Sequence, residues 1–295
     1  MIVFVKRVVR RVRSDARRLA RYRLVLTGRP LVLWTRRHVL KVVLRGAAAR
    51  HLAREVATTQ LATTWAPFTG MVVEQELVTR FVARSDRRYG DGSRDDTVAA
   101  MVRFVERHTA MVGEARRETA FDLLRAHMER LRVAPQHRHA LFERFCAVLE
   151  SDFFAFEVPR TPMHGDFAPE NAILRGDDLV LVDWEYASER GSLLYDVWFL
   201  RRCIGRDRAQ LRAAEALLGR LDRVVATLTA QLGLDDTQFD AFGHAMHALV
   251  DFSRTDTRGE GDHVLAFSVG EIERLAVTGV ARREAPMARC GTRHD

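Results

Sequence analysis

The sequence predicts an α+β protein with two lobes: a small antiparallel β lobe with one helix, then a larger, mostly helical lobe. Three observations predict this arrangement. Short apolar runs separated by turn residues fill the chain up to about residue 84. After a polar stretch at 85–96, apolar residues recur with the 3.6-residue period of helices. An irregular polar island at 158–190 interrupts the helical pattern.

The first lobe is expected to contain short strands and a single helix. The predicted strands are Leu24–Thr27, Leu31–Thr35, Val39–Leu44, Met71–Val78 and Arg80–Ala83. Residues 46–64 are rich in good helix formers and predict the helix. The stretch 85–96 is rich in glycine and aspartate, which favour turns, so the lobes are expected to comprise 24–84 and 85–281.

The second lobe is expected to be mainly helical. Helices are predicted over 96–112, 114–131, 135–151, 192–203, 207–232, 236–253 and 263–279. Within the polar island, Ala172–Leu174 and Leu179–Val182 predict a β-hairpin with a Gly-Asp-Asp turn. The last residues, 282–295, are expected to form a flexible tail.

Composition limits the class of protein. The chain has 295 residues, of which 47% are apolar and 29% charged, as is typical of a globular protein. No apolar run approaches the ~18 residues of a membrane-spanning helix, so an integral membrane protein is not expected. The three cysteines have no paired spacing, so neither a disulfide framework nor a cysteine zinc site is expected. The predicted location is therefore the reducing cytoplasm.

The positive charge is concentrated at the N-terminus. Residues 1–23 contain nine lysines and arginines and one acid, which accounts for the whole net charge of +8. The body of the protein is therefore neutral overall, whereas a nucleic-acid-binding protein needs a basic face on its fold. No nucleic-acid partner is expected.

The basic segment 1–23 also has an apolar stripe. Its apolar residues recur at spacings of three and four: Ile2, Val5, Val9, Val12, Ala16 and Leu19. This spacing predicts an amphipathic helix. Three interpretations stay open: a helix packed on the body, a helix in peripheral contact with an anionic membrane, and an arginine-rich organellar targeting segment.

The polar island contains the residues that can carry chemistry. The run His164–Asp166 is followed by Asn171, and the predicted hairpin ends at Asp183. Phosphoryl transfer needs a carboxylate that orients the acceptor hydroxyl and oxygen ligands that hold Mg²⁺ across the phosphates. A loop aspartate, an asparagine one turn later and an aspartate at a strand end supply this set.

These residues match the pattern His-Gly-Asp-x-x-x-x-Asn, followed by a hydrophobic strand and Val-Asp-Trp at 182–184. The sequence therefore resembles the aminoglycoside phosphotransferase and choline kinase superfamily of protein-kinase-like small-molecule kinases, over residues 24–280. The run Asp-Trp-Glu-Tyr-Ala at 183–187 looks most like choline and ethanolamine kinases and kinase-like proteins of surface-polysaccharide pathways. The resemblance implies a two-lobed, protein-kinase-like fold.

The resemblance also implies roles for individual residues. Asp166 would be the catalytic base, and Asn171 and Asp183 would bind Mg²⁺. Three further residues would support this site: His164, Glu185 and Asp196. Of these, His164 would hydrogen-bond the loop backbone and Asp196 would brace the loop, while Glu185 has no assigned role.

The superfamily uses a lysine from the first lobe for the nucleotide phosphates and a helix glutamate that holds the lysine. Lys41 lies in the third predicted strand and Glu55 in the following helix. The chain has 45 arginines and two lysines, so a lysine here favours a need for a compact ammonium group. The nucleotide is expected to be ATP or GTP, although the turn at 27–30 has one glycine and lacks the glycine-rich pattern.

The acceptor is expected to be a small molecule with a hydroxyl group. Gly165 stands where protein kinases have arginine, and the interval from Asp183 to Asp196 is too short for a peptide-binding activation segment. Three acceptor classes stay open: an aminoglycoside, a choline-like amino alcohol, and a sugar or lipid-linked acceptor. Acidic residues that would suit a polycation are Asp235, Asp236, Asp240, Asp251, Asp256, Glu260 and Asp262. Aromatic residues that would suit choline are Trp184, Tyr186, Tyr195, Trp198 and Phe199.

Other functions have less support in the sequence. His244 and His247 lie three residues apart, but no third ligand has a matching spacing, which favours ordinary packing over zinc binding. A Gly-x-Ser-x-Gly hydrolase motif is absent. The alternative function is a catalytically inactive, kinase-like nucleotide-binding scaffold. The presence of Asp166, Asn171 and Asp183 favours the enzyme.

Overall fold

The structure is a computed structural model that describes residues 23–26, 31–34, 38–42, 57, 71–74, 79–83, 94–131, 140–175, 178–181, 183–254 and 261–284. The basic segment before residue 23, the tail after residue 284 and the stretch 84–93 lie outside the described residues. So does the helix predicted over 46–64, except Ala57, which is helical. Within the described residues the chain is α+β, as predicted, with strands first and helices predominating from residue 94 onward.

Five strands form an antiparallel sheet in the first part of the chain. They are β1 (Arg23–Leu26), β2 (Leu31–Trp34), β3 (His38–Val42), β4 (Met71–Glu74) and β5 (Thr79–Ala83). Their order in the sheet is β1-β2-β3-β5-β4, and each pair is antiparallel. All five predicted strands are confirmed, with bounds that differ by a few residues. Lys41 lies in β3, where it pairs with Val32 of β2 and Arg80 of β5.

Helices make up most of the second part. They are α1 (Arg94–Glu114), α2 (Ala120–Leu131), α3 (Ala140–Leu149), α4 (Leu193–Arg206), α5 (Ala214–Leu232), α6 (Asp236–Arg254) and α7 (Gly261–Glu284). Helix α1 packs against α5, α4 packs against α5 and α6, and α7 packs against α6 and α3. None of the described helices combines the length and hydropathy needed to cross a bilayer.

The prediction of one helix over 114–131 was wrong at its start. Residues Arg117–Thr119 form a strand, β6, which pairs with β7 (Glu157–Pro159). Helix α2 then begins at Ala120, because the hydroxyl oxygen of Thr119 accepts the backbone N–H of Asp122 at 3.1 Å. A side-chain cap of this kind separates the strand from the helix.

The prediction of a continuous helix over 207–232 was also wrong at its start. A short 3₁₀ turn at Arg208–Gln210 precedes α5, which begins at Ala214. The carboxylate of Asp95 accepts the backbone N–H groups of Arg212 and Ala213, at 3.4 and 2.9 Å. These bonds satisfy amides that a longer helix would have used internally, so the helix starts after them.

The polar island is irregular, as predicted. It contains β8 (Thr161–Met163), which pairs with β11 (Ser188–Gly191), and the predicted hairpin of β9 (Ala172–Arg175) and β10 (Asp178–Leu181). Two 3₁₀ turns, Pro169–Asn171 and Trp184–Tyr186, stand before and after this hairpin. Helix α1 packs beside the hairpin and the first of these turns.

The hydrophobic core lies between these helices and the island. The largest fully buried side chains include Trp184, Tyr195, Phe145, Phe154 and Phe167, each of which removes a large apolar area from water. Buried Trp198 of α4 lies against Gly243 of α6, where a Cβ atom would collide with the indole ring. This close approach fixes α4, whose first turn faces the island.

Candidate functional site

A glycine allows the loop after β8 to pack tightly. Gly165 has φ of +81°, a conformation that side chains rarely adopt. A Cβ atom at this position would also lie 2.5 Å from the backbone oxygen of Tyr186. The loop therefore packs against the 3₁₀ turn 184–186 at a distance that requires glycine.

The carboxylate of Asp196 holds the backbone of the same loop. It accepts hydrogen bonds from the N–H groups of His164 at 2.7 Å and Gly165 at 3.0 Å. Helix α4, which carries Asp196, is fixed at its start because the hydroxyl oxygen of Thr161 accepts the N–H of Leu193 at 2.6 Å. The buried carboxylate of Asp196 therefore joins the loop backbone to helix α4.

Burial changes the acidity of Asp196. Loss of solvation raises the pKa of the carboxyl to about 7, the two backbone N–H groups oppose that change, and the charge of Asp166 adds to it. Asp196 and Asp166 are thus close enough to interact electrostatically.

His164 also contributes to the shape of the loop. The imidazole is 2% exposed, and its Nδ1 atom accepts the backbone N–H of Asp166 at 3.2 Å. Because Nδ1 is the acceptor, the neutral ring carries its proton on Nε2. The ring centroid lies 4.5 Å from that of Trp184 and 6.2 Å from that of Phe167. The histidine therefore links the loop to the buried aromatic residues on both sides.

Asn171 closes the loop at its other end. Its side-chain nitrogen donates to the backbone oxygen of Asp166 at 3.0 Å, and its backbone N–H donates to that of Ala168 at 2.9 Å. Since the amide nitrogen is used inside the loop, the amide oxygen is the atom suited to bind a cation. Asp166 and Asn171 are thereby held in one compact turn.

Asp183 has a strained backbone. Its φ and ψ of 67° and 51° lie in the left-handed region, and it is the one non-glycine residue with positive φ among those described. Such a conformation costs roughly 1–2 kcal/mol, and strain of this kind is concentrated at functional sites. The indole nitrogen of Trp184 donates to the backbone oxygen of Leu181 at 2.9 Å, so residues on both sides of Asp183 are fixed.

The side chains of this region offer oxygen donors. Asn171 supplies an amide oxygen, and Asp166 and Asp183 supply carboxylates, which are the ligands that Mg²⁺ prefers. Among the described residues, this region included, no group of three or more His, Cys, Asp and Glu side chains is arranged to hold a metal ion. The candidate donors are two carboxylates and one amide oxygen, which by their chemistry suit a hard divalent cation.

Part of the predicted site lies outside what the structure describes. The backbone of Lys41 is in a strand, as expected, but the description does not extend to its side chain or to that of Glu185. Glu55 lies outside the described residues altogether. The candidate residues that the structure does describe are Asp166, Asn171 and Asp183, together with His164 and Asp196.

The aromatic residues considered for a choline site belong mainly to the core. Four of them are less than 10% exposed: Trp184, Tyr186, Tyr195 and Trp198. Phe199 is partly buried. The hydroxyl of Tyr195 lies 3.3 Å from Nδ1 of His247, and the ring of Trp198 packs on His244 with centroids 4.9 Å apart. These contacts are those of interior packing.

The acidic residues considered for a polycation site are dispersed. Asp235 and Asp236 are exposed. Asp240 accepts the indole N–H of Trp198 at 3.2 Å, and burial raises the pKa of its carboxyl. Asp251 is partly buried, whereas the structure does not describe Asp256, Glu260 or the side chain of Asp262.

The sequence did not indicate the role of Glu170, which precedes Asn171. Its carboxylate lies 3.3 Å from the guanidinium of Arg94, which is 76 residues away in the chain. The run Pro-Glu-Asn is visible in the sequence, but a pairing over such a distance has no local signal.

Comparisons with known proteins show that this chain is similar to solved structures in its fold. No family model matches the sequence, and no curated protein is detectably similar to it. Choline kinase LicA from Streptococcus pneumoniae is 15% identical, with 94% of this chain and 99% of that one covered and a TM-score of 0.54.

Two further solved structures are more distant. A choline/ethanolamine kinase family protein from Mesorhizobium loti is 14% identical, covering 89% of this chain and 90% of that one, with a TM-score of 0.46. Macrolide 2′-phosphotransferase MphH from Brachybacterium faecium is 15% identical, covering 88% and 91%, with a TM-score of 0.45. At these identities the likeness concerns the fold. On the strength of the first comparison, this chain has the two-lobed, protein-kinase-like fold of the small-molecule kinases.

Proposed function

We propose that the protein is a small-molecule kinase that transfers the γ-phosphoryl group of ATP or GTP to a hydroxyl group. The observation that carries the proposal is the loop 164–171. Its backbone is hydrogen-bonded so that the side chains of Asp166 and Asn171 belong to one turn. Asp183, in a strained conformation, follows the hairpin that leaves this turn. Kinases use an aspartate, an asparagine and a second aspartate in these roles.

The proposed reaction uses Asp166 as the base. Its carboxylate accepts a hydrogen bond from the acceptor hydroxyl, orients the oxygen toward the γ-phosphorus and takes the proton as the new P–O bond forms. The bond from the γ-phosphorus to the bridging oxygen breaks, and the nucleoside diphosphate leaves. Asn171 and Asp183 would hold Mg²⁺, which, when bound, neutralises the charge of the phosphate oxygens.

The first lobe would contribute to nucleotide binding. Lys41 would pair with the phosphates, and Glu55 would hold the ammonium group. The support for Lys41 is its location in β3, a strand paired on both sides, in a chain with 45 arginines and two lysines. Asp196 would brace the loop, and Glu185 would be a supporting residue without an assigned role.

The acceptor is proposed to be an amino alcohol, an aminoglycoside or a sugar. Amino alcohols are the first class to test, because the most extensive fold similarity described above is to a choline kinase. Release of nucleoside diphosphate in the presence of each class would identify the acceptor. An absence of release with all three classes, together with Mg²⁺-dependent nucleotide binding, would favour the inactive scaffold.

The catalytic assignment is tested by Asp166→Asn. The variant keeps the size of the side chain but not its basicity, so turnover should fall by roughly 10²–10⁴ while nucleotide binding is retained. Asp222→Asn is the control, since Asp222 lies on α5 and pairs with Arg201 at 2.8 Å on the surface. Turnover of Asp166→Asn equal to that of the control would refute the assignment.

The location in the cell is proposed to be the cytoplasm, with the role of the basic segment 1–23 open as before. If this segment contacts membranes, the protein should sediment with vesicles of anionic lipid and not with neutral ones. The binding should also weaken as the salt concentration rises. Equal recovery with both kinds of vesicle would exclude that interpretation.

A further inference from the structure

An ionic cluster joins the turn that carries Asn171 to the first residue of α1. Arg94 donates through Nη2 to Glu170 at 3.3 Å and to the carboxylate of Asp207. Its Nη1 atom donates to the side-chain oxygen of Gln210. The side chains of Arg94 and Asp207 are only 16% and 8% exposed, so solvent screens this charge pair less than a surface pair.

One end of the cluster is firmly anchored. Asp207 directly follows α4 and also accepts a hydrogen bond from Nε of Arg206 at 3.1 Å. Beside it, the carboxylate of Asp95 accepts the N–H of Ala213 at 2.9 Å. The first two residues of α1 are therefore fixed to the connection between α4 and α5.

The other end of the cluster is the catalytic loop. Glu170 precedes Asn171 in the 3₁₀ turn Pro169–Asn171, and the amide of Asn171 donates to the backbone oxygen of Asp166. A shift of Glu170 therefore moves its neighbour and changes this hydrogen bond. Arg206 also approaches Glu170, at 3.8 Å, but its side chain is 62% exposed, so it contributes less than Arg94.

We propose that Arg94 is a positioning residue for the metal site. By holding Glu170, it fixes the amide oxygen of Asn171 in the orientation that binds Mg²⁺. The inference rests on the proposed function, since it takes Asn171 as a metal ligand. A lysine would not replace Arg94, because its single ammonium group cannot present a planar fork to three acceptors.

The test measures metal-dependent binding in the full-length protein. MgCl₂ is titrated at a fixed concentration of a non-hydrolysable ATP analogue, and bound nucleotide is measured by calorimetry. Arg94→Gln should raise the Mg²⁺ concentration for half-maximal binding about tenfold, the lower end of the effect of outer-shell residues on metal affinity. A value equal to that of the wild type would overturn the inference.

A matched control separates positioning from stability. Arg220 on α5 pairs with Glu106 of the same helix α1, with Nη2 at 2.6 Å from the carboxylate. Arg220→Gln therefore also removes an ion pair from α1, but at a distance from the loop. It should lower the thermal stability without a change in the Mg²⁺ requirement. An equal rise in that requirement for both variants would mean that Arg94 acts only through stability.

A double-mutant cycle tests whether Arg94 acts through Glu170. Glu170→Ala should raise the Mg²⁺ requirement, and adding Arg94→Gln to it should give no further increase. Effects that multiply in the double variant would overturn the inference.

The wild type distinguishes failure of the proposed function from failure of the inference. If the wild type itself shows no Mg²⁺-dependent nucleotide binding, the proposed function fails and the inference fails with it. If the wild type binds nucleotide in a Mg²⁺-dependent way and Arg94→Gln has the same Mg²⁺ requirement, the inference about Arg94 is refuted and the proposed function is not.

Discussion

Oδ2 of Asp196 accepts the backbone N–H of His164 at 2.7 Å, and Oδ1 accepts that of Gly165 at 3.0 Å. Asp196→Ala would leave both buried N–H groups without an acceptor. Since each such group costs about 1–3 kcal/mol, the free energy of unfolding should fall by about 2–6 kcal/mol, as measured by urea denaturation at pH 5. The surface variant Asp222→Ala should change it by less than about 1 kcal/mol. An equal loss of unfolding free energy in both variants would show that these two hydrogen bonds contribute no more to stability than the surface ion pair of Asp222.

The raised pKa of Asp196 gives the stability a pH dependence. The carboxyl has a pKa of about 7 when buried, against a value of 3.8 for the unperturbed group. Between these values the folded state holds a proton that the unfolded state has released, so the contribution of Asp196 to stability falls as the pH rises from about 4 to 7. Asp196→Asn cannot ionise at this position. The difference in unfolding free energy between wild type and variant should therefore change over this pH range, and a constant difference would contradict the assignment.

The conformation of Gly165 predicts opposite results for two glycine substitutions. Gly165→Ala places a methyl group against the backbone of Tyr186 at positive φ, and should lower the free energy of unfolding by about 2–4 kcal/mol. Gly219 lies within α5, where a Cβ atom meets nothing within 4 Å. Gly219→Ala should therefore raise the free energy of unfolding by about 0.5–1 kcal/mol. Thermal unfolding of both variants is the measurement, and a shift in the same direction for both would refute the argument.

Local patterns were sufficient to predict much of this molecule. Turn residues and apolar runs close together in the chain predicted the strands of the first sheet and the hairpin at 172–181. Short sequence patterns identified the candidate residues Asp166, Asn171 and Asp183. The two-lobed fold followed from the resemblance carried by the same residues. The pairings β1–β2, β2–β3, β4–β5 and β9–β10 each join residues within about twenty positions, which a sequence displays directly, whereas the pairing of β3 with β5 joins residues about forty apart.

Features that depend on distant partners could not be predicted. Strand Arg117–Thr119 exists because Glu157–Pro159 pairs with it, and nothing in its own three residues indicates a strand. The pairing of Arg94 with Glu170 is equally remote in sequence. The left-handed backbone of Asp183 has only a weak local signal: aspartate adopts this region more often than most residues, but no neighbouring glycine marks the position.

The importance of a lysine in β3 can be tested with the two lysines of the chain. Lys41→Arg keeps the charge but replaces a compact ammonium group with a larger planar one. We expect kcat/KM to fall at least about tenfold, equivalent to about 1.4 kcal/mol of transition-state stabilisation. Lys6→Arg in the basic segment is the matched control and should retain the activity. Full activity of both variants would mean that the position requires only a positive charge.

The strain at Asp183 can be separated from its role as a ligand by comparing two substitutions. Asp183→Gly and Asp183→Ala both remove the carboxylate, so both should abolish Mg²⁺-dependent nucleotide binding. Only glycine relieves the left-handed backbone, whose φ is 67°. The glycine variant should therefore be more stable than the alanine variant by about 1–2 kcal/mol in metal-free urea denaturation. Equal stabilities would show that the backbone relaxes without cost, and retained Mg²⁺ dependence in either variant would remove Asp183 from the proposed metal site.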